Sequence, residues 1–230
     1  MKVIRVESYH EMSRVASDIL VGDILKKKNI VIGFATGRTP LGLYKNLVRA
    51  YKNKEIDFSG VRSFNLDEYY PISKNSKRSY FSYMFRNLFG LVNIKGANVN
   101  FLDGSVGDWK KECESYEKLI KKNPIDVQIL GVGVNGHIGF NEPGSKRNSV
   151  TRLVELSDAT RRRNSGIFWK APEKALTMGI KTIFSAKKII LLASGRDKMK
   201  AVERLLRGEV GSDCPVSFLR GHKNLVVVVC

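Results

Sequence analysis

Short apolar runs recur along the chain at residues 30–34, 61–66, 125–130, 187–193 and 225–229, and the stretches between them carry their apolar residues at helical spacing. Ser8 with Glu11 is a capping-box pattern ahead of Met12, Val15, Ala16, Ile19, Leu20 and Ile24, so a helix is expected to open the fold. Pro40 suits the first position of a helix bearing Leu43, Leu47 and Val48. Ser79 can cap a helix whose Tyr80, Phe81, Met84, Phe85 and Leu88 read as core. Asp108 precedes an amphipathic stretch with Trp109, Cys113, Tyr116, Leu119 and Ile120 on one face, ended by Pro124. Further helices are expected at 175–183 and 198–206, and the polar stretch from Pro143 to about Ser165 shows few periodic apolar residues. Strands alternating with helices imply right-handed crossovers and a parallel sheet covered on both faces.

A chain of 230 residues that is 43% hydrophobic can bury the core of one large α/β domain spanning residues 1–230. Charge is spread through the first thirty residues (Lys2, Arg5, Glu7, Glu11, Arg14, Asp18), so no secretory leader is expected there. No apolar segment approaches the ~20 residues that cross a bilayer, and no membrane partner is expected. Cys113, Cys214 and Cys230 have no Cys-x-x-Cys spacing, which points away from disulfides and structural zinc and toward the cytoplasm. The net charge of +18 comes from dispersed basic residues with no nucleic-acid motif, so it reads as a solvated surface with no specific nucleic-acid partner.

In a doubly wound sheet, ligands bind beyond the carboxyl ends of the strands. Four polar loops fall there. The first is Thr36-Gly37-Arg38-Thr39-Pro40, which sets a glycine, two hydroxyls and a guanidinium before a helix N-terminus; a phosphate suits it, although Gly-x-Thr-Pro also serves as a plain turn. Ser194-Gly195-Arg196-Asp197-Lys198 repeats that arrangement, with Lys198 able to reach the same anion. Asp67 stands where the second strand must end, a proton shuttle or the start of a turn, and Glu68 beside it either shares that work or caps a neighbouring element. The fourth loop, Gly131-Val-Gly133-Val-Asn135-Gly136-His137-Ile-Gly139-Phe-Asn141-Glu142-Pro143, presents an amide, an imidazole and a carboxylate, and Glu142 can orient His137 for acid–base work. Of three histidines, His10, His137 and His222, one lies in such a loop, which speaks against a histidine-rich metal centre. Neither a complete dinucleotide fingerprint nor a Walker loop is present, so no nucleotide cofactor is expected.

Taken together, Ala35–Tyr44, Phe64–Tyr70, Ser79–Phe89, Gly131–Pro143 and Ala175–Gly179 resemble the glucosamine-6-phosphate deaminase (isomerase) family. The resemblance implies a Rossmann-like, doubly wound, mostly parallel sheet with helices on both faces. It implies conversion of a hexosamine 6-phosphate and water to a ketohexose 6-phosphate and ammonia, with no metal or organic cofactor. Carried over by position, Asp67 moves the proton between C2 and C1, His137 assists ring opening, Asn135 and Glu142 set its charge and orientation, and Thr36, Gly37, Arg38, Thr39 and Lys198 hold the phosphate. Arg38 stands where the family usually has a small residue, and Gly166 where it usually offers an arginine, so Arg38 is expected to replace the missing cation. Val154 stands where activator-regulated relatives carry a lysine and the chain stops soon after Val229; allosteric control by an acetylated sugar phosphate is therefore not expected, although Arg152 is kept. A galactosamine 6-phosphate enzyme and a non-catalytic sugar-phosphate sensor are the alternatives, and an oligomer is compatible with the sequence.

Overall fold

The computed structural model describes residues 1–165 and 169–230. The chain begins with β1 (Lys2–Arg5), α1 (Tyr9–Lys26), β2 (Val31–Phe34), α2 (Leu41–Lys52), β3 (Arg62–Asn65) and β4 (Asp67–Tyr70). It continues through α3 (Tyr80–Asn87), β5 (Val99–Asn100), α4 (Trp109–Lys122), β6 (Val127–Gly131), β7 (Arg152–Glu155) and α5 (Asp158–Asn164). It ends with β8 (Lys174–Thr177), α6 (Ile180–Phe184), β9 (Lys188–Ala193), α7 (Met199–Leu206) and β10 (Leu225–Val229).

Seven strands form one sheet in the order β1-β10-β9-β6-β2-β3-β5, every pairing parallel. Helices α1, α2 and α3 cover one face over Ile32, Phe34, Ile129, Ile190 and Leu192; α4 and α7 pack on the other over Phe64, Leu130, Ile189, Leu191 and Val227. Strands buried on both faces read as unbroken apolar runs, which is why β9 and β10 show no alternation. Each fully buried Leu or Ile contributes about 1.5–3 kcal/mol. From β2 the chain winds outward to β3 and β5, then returns to lay β6 on the other side of β2 and winds out to β9 and β10. The loops leaving β2 and β6 therefore diverge and open a crevice between them.

The structure departs from the sequence expectations at four places. A strand, β1, precedes the opening helix; its charged, exposed residues hide it, and parallel pairing with β10 holds it. Asp67 starts a new strand: β4 leaves the main sheet and pairs antiparallel with β8, with Asp67 opposite Thr177. Residues Ala175, Leu176 and Thr177 form a strand where helix was expected, because they are fully buried between β4 and β7 and tertiary packing overrides local preference. The polar stretch before Ser165 contains β7 and α5, the latter opened by Ser157, whose hydroxyl accepts from the N–H of Thr160.

At the amino ends of the central strands, Asp126 fastens three elements. Its carboxylate accepts from Lys27 Nζ at 2.5 Å, Lys187 Nζ at 2.9 Å and the Val31 N–H at 2.9 Å. Burial alone would raise its pKa, but these donors outweigh that and hold it below the usual carboxylate value. Asp126→Ala leaves the Val31 N–H without its acceptor and is expected to cost about 1–3 kcal/mol in urea unfolding at neutral pH. A depressed acid stabilises the fold above its unfolded pKa, so the gap between the two proteins should close as pH falls below about 4.

Candidate active site

All four predicted loops leave the carboxyl ends of four adjacent strands, β9, β6, β2 and β3. The loop after β6 folds back on itself: the N–H of Gly133 donates to the carbonyl of His137 at 2.9 Å, and the N–H of Gly136 to that of Gly133 at 3.0 Å. This turn lays the imidazole across the bare backbone of Gly133, where a Cβ would fall 2.1 Å from His137 Cε1. Gly136, with φ of 83°, presses against Cys214, whose Sγ would sit 2.4 Å from a Cβ there.

Asn135 links His137 to Glu142. Its Nδ2 donates to Glu142 Oε2 at 2.8 Å, and its Oδ1 lies 2.7 Å from His137 Nδ1. A carboxylate only accepts, so the amide must turn its NH₂ to Glu142 and its oxygen to the imidazole. His137 Nδ1 therefore carries a proton, and Glu142 Oε2 stands 3.8 Å from it. The other carboxylate oxygen, Oε1, accepts from the hydroxyl of Thr160 on α5 and stands 3.5 Å from that of Ser157. Neither hydroxyl was foreseen from the sequence. Asn141, fully buried, donates to the carbonyls of Ile138 and Met178 and accepts from Arg152 at 2.9 Å. Arg152 is thus a brace on this loop.

Asp67 opens β4 and is 5% exposed. A Cβ on Gly139 would lie 3.2 Å from Asp67 Oδ2, so this carboxylate abuts the loop that carries His137 two residues earlier. Burial, and then the neighbouring Glu68, push its pKa up to about 8. No hydrogen bond or ion pair engages its carboxylate among the described residues. Glu68 plays the other of its two expected parts: it accepts from the N–H groups of Tyr80 and Phe81 in the first turn of α3 and from that of Tyr69, each at 2.9 Å. Phe140 packs on Tyr69 and Tyr80 with ring centroids 5.8 and 5.9 Å away, locking β4, α3 and the His137 loop together.

After β2, two tyrosines shape the Thr36–Thr39 turn. Tyr83 donates to the carbonyl of Gly37 at 2.6 Å and Tyr9 to that of Arg38 at 3.1 Å. In a trans peptide the N–H points opposite to the carbonyl, so the N–H groups of Arg38 and Thr39 face away from α1 and α3. Neither makes a hydrogen bond among the described residues. Lys198 Nζ donates to Thr39 Oγ1 at 3.4 Å, joining the β9 loop to this turn. The Thr36 side chain meets the Tyr80 hydroxyl, which bonds Tyr69 at 3.1 Å. Arg38 is exposed with its guanidinium unpaired among the described residues. Gly166, over which Arg38 was expected to compensate, lies outside the described residues. Arg161, one of three consecutive arginines, is engaged by Asp158 and Glu173.

All nine predicted site residues thus gather at one rim. A hollow of about 760 Å³ opens elsewhere, near the starts of β2 and β3, between Ile24, Lys28, Tyr51 and Lys95, and none of the nine lines it. Among the described residues no helix is long and apolar enough to cross a membrane.

Residues 7–228 match the family described as glucosamine-6-phosphate isomerases/6-phosphogluconolactonase. The chain is 47% identical to a glucosamine-6-phosphate deaminase of Clostridium novyi, covering 100% of this chain and 97% of that protein, and 44% identical to one of Clostridium acetobutylicum with the same coverage. It superposes with a TM-score of 0.96 on a solved monomeric glucosamine-6-phosphate deaminase, 40% identical, over 100% of this chain and 97% of the other. The 6-phosphogluconolactonase of Thermotoga maritima shares the fold at a TM-score of 0.78 and 23% identity, covering 99% and 98% of the two chains. The chain belongs to the glucosamine-6-phosphate isomerase/6-phosphogluconolactonase family.

Proposed function

We propose that this protein converts glucosamine 6-phosphate and water to fructose 6-phosphate and ammonia. The observation that carries the reading is the approach of Asp67 Oδ2 to Gly139, which sets a buried carboxylate, unpaired among the described residues, beside the loop bearing His137. One six-carbon substrate can then meet both. The phosphate sits in the turn of Thr36, Gly37, Arg38 and Thr39, held by outward N–H groups, hydroxyls and the charge of Lys198. With Nδ1 protonated against Asn135, His137 exchanges a proton with the pyranose through Nε2 and opens the ring. Glu142 stabilises the imidazolium that forms. Asp67 takes the proton from C2 of the open aminoaldose and returns it to C1, leaving an imine at C2; water adds there and ammonia departs. The three free cysteines suit a cytoplasmic setting.

Ammonia release from a panel of hexosamine 6-phosphates tests the reading, and release from the galactosamine epimer alone would replace the substrate. Asp67→Asn should bind sugar phosphate yet turn over at least ~100-fold more slowly. Asp67 must be ionised to accept a proton and is raised to about 8, so kcat/KM should climb with pH up to that region; a flat profile from pH 6 to 9 would remove Asp67 as the base. Gly133→Ala places a methyl where the imidazole lies, and kcat should fall ~100-fold or more while the melting temperature, read by calorimetry, stays close to wild type. Arg38→Ala should weaken substrate binding at least ~tenfold if its guanidinium reaches the phosphate, and an unchanged KM would exclude that contact.

A further inference from the structure

Helix α5 lies in the stretch whose sequence shows little pattern, yet it touches the carboxylate of the His137 loop. Ser157 caps it conventionally, accepting the N–H of Thr160 at 3.3 Å. In a capping box the third helical position holds a Glu or Gln that reaches back to the cap residue's own N–H; here it holds a threonine. The Thr160 hydroxyl accepts from the Ser157 hydroxyl at 3.2 Å and donates its own proton to Glu142 Oε1, eighteen residues away in sequence. Thr160 is 8% exposed, so little water competes for that bond. Glu142 then has each oxygen fixed from a different direction: Oε1 by Thr160, with Ser157 at 3.5 Å, and Oε2 by Asn135. A carboxylate held at one oxygen can swing about its last two torsions; held at both, it cannot, and its distance to His137 Nδ1 is set.

We propose that Thr160 is a positioning residue which, through Glu142, fixes the orientation of the His137 imidazole for ring opening. The proposal rests on the deaminase reading above and adds to it a group that touches no substrate. Helix α5 thereby belongs to the reaction apparatus through Thr160.

Thr160→Val keeps the backbone N–H that Ser157 caps and the shape of the side chain, and removes only the hydroxyl, so the helix should persist. Thr160→Ser keeps the hydroxyl. Turnover of glucosamine 6-phosphate by Thr160→Val should fall ~tenfold or more with KM within about twofold, and Thr160→Ser should recover most of it. In a Glu142→Gln background the Thr160→Val change should add little, since the two residues act through one contact. The imidazole nitrogen resonances of His137 give a readout that needs no turnover, with His10 and His222 as internal references. Thr160→Val should shift the His137 signals and leave the other two in place. An unmoved His137 signal, a full additive loss in the Glu142→Gln background, or a loss confined to KM would each overturn the proposal. A shifted His137 signal in a protein that releases no ammonia from any hexosamine 6-phosphate would sustain the positioning role and overturn the deaminase reading instead.

Discussion

Four neighbouring strands, β9, β6, β2 and β3, run in one direction, and this parallelism sets everything that happens at the site. Parallel strands present all their carboxyl ends at a single edge, so residues as distant as Thr39 and Lys198 come within hydrogen-bonding reach without any long excursion of the chain. The reversal of winding between β2 and β6 leaves the space into which the two loops face. Antiparallel strands in the same positions would send half of these groups to the other end of the molecule.

Within that space the proposed chemistry turns on a neutral amide. Asn135 accepts from an imidazole and donates to a carboxylate in one planar group, so it transmits orientation between His137 and Glu142 while adding no charge of its own. A second carboxylate at this position would repel Glu142 and lose the donor. Asp67 is treated differently: it is buried beside Glu68 and raised to about 8, which makes it a stronger base than a solvated aspartate once ionised. Glu68, also raised to about 7 by burial and eased by three N–H donors, anchors α3. In the proposed reaction, two adjacent carboxylates are thus divided between proton transfer and architecture by the donors each one meets.

Much of this was readable from local pattern. Buried parallel strands announce themselves as apolar runs, and the glycine-rich loop after β6 singles out His137 among the three histidines. The exceptions have a common physical cause. Strand β8 takes its conformation from pairing with β4, more than a hundred residues earlier, and with β7, and Ala175–Thr177 carry no local β signal strong enough to reveal it. Likewise Tyr9, Tyr83 and Thr160 act through hydroxyls aimed at partners 29, 46 and 18 residues away. Tyr9 and Tyr83 lie among helical residues but off the apolar faces read from the sequence, and Thr160 looks like a solvated polar residue. A side chain that serves a remote loop leaves no trace in its own neighbourhood.

Cys214 shows how an inert group can shape a reactive one. Its sulfur fills the space beside Gly136, and the N–H two residues further on, at Val216, donates to the Gly136 carbonyl at 2.8 Å, so the tip of the His137 loop leans on a thiol. Burial raises the pKa of that thiol, and it remains protonated at neutral pH. A protonated thiol is a poor target for peroxide and electrophiles. The same burial that seats the loop, leaving Cys214 6% exposed, therefore also slows oxidation of the thiol it leans on.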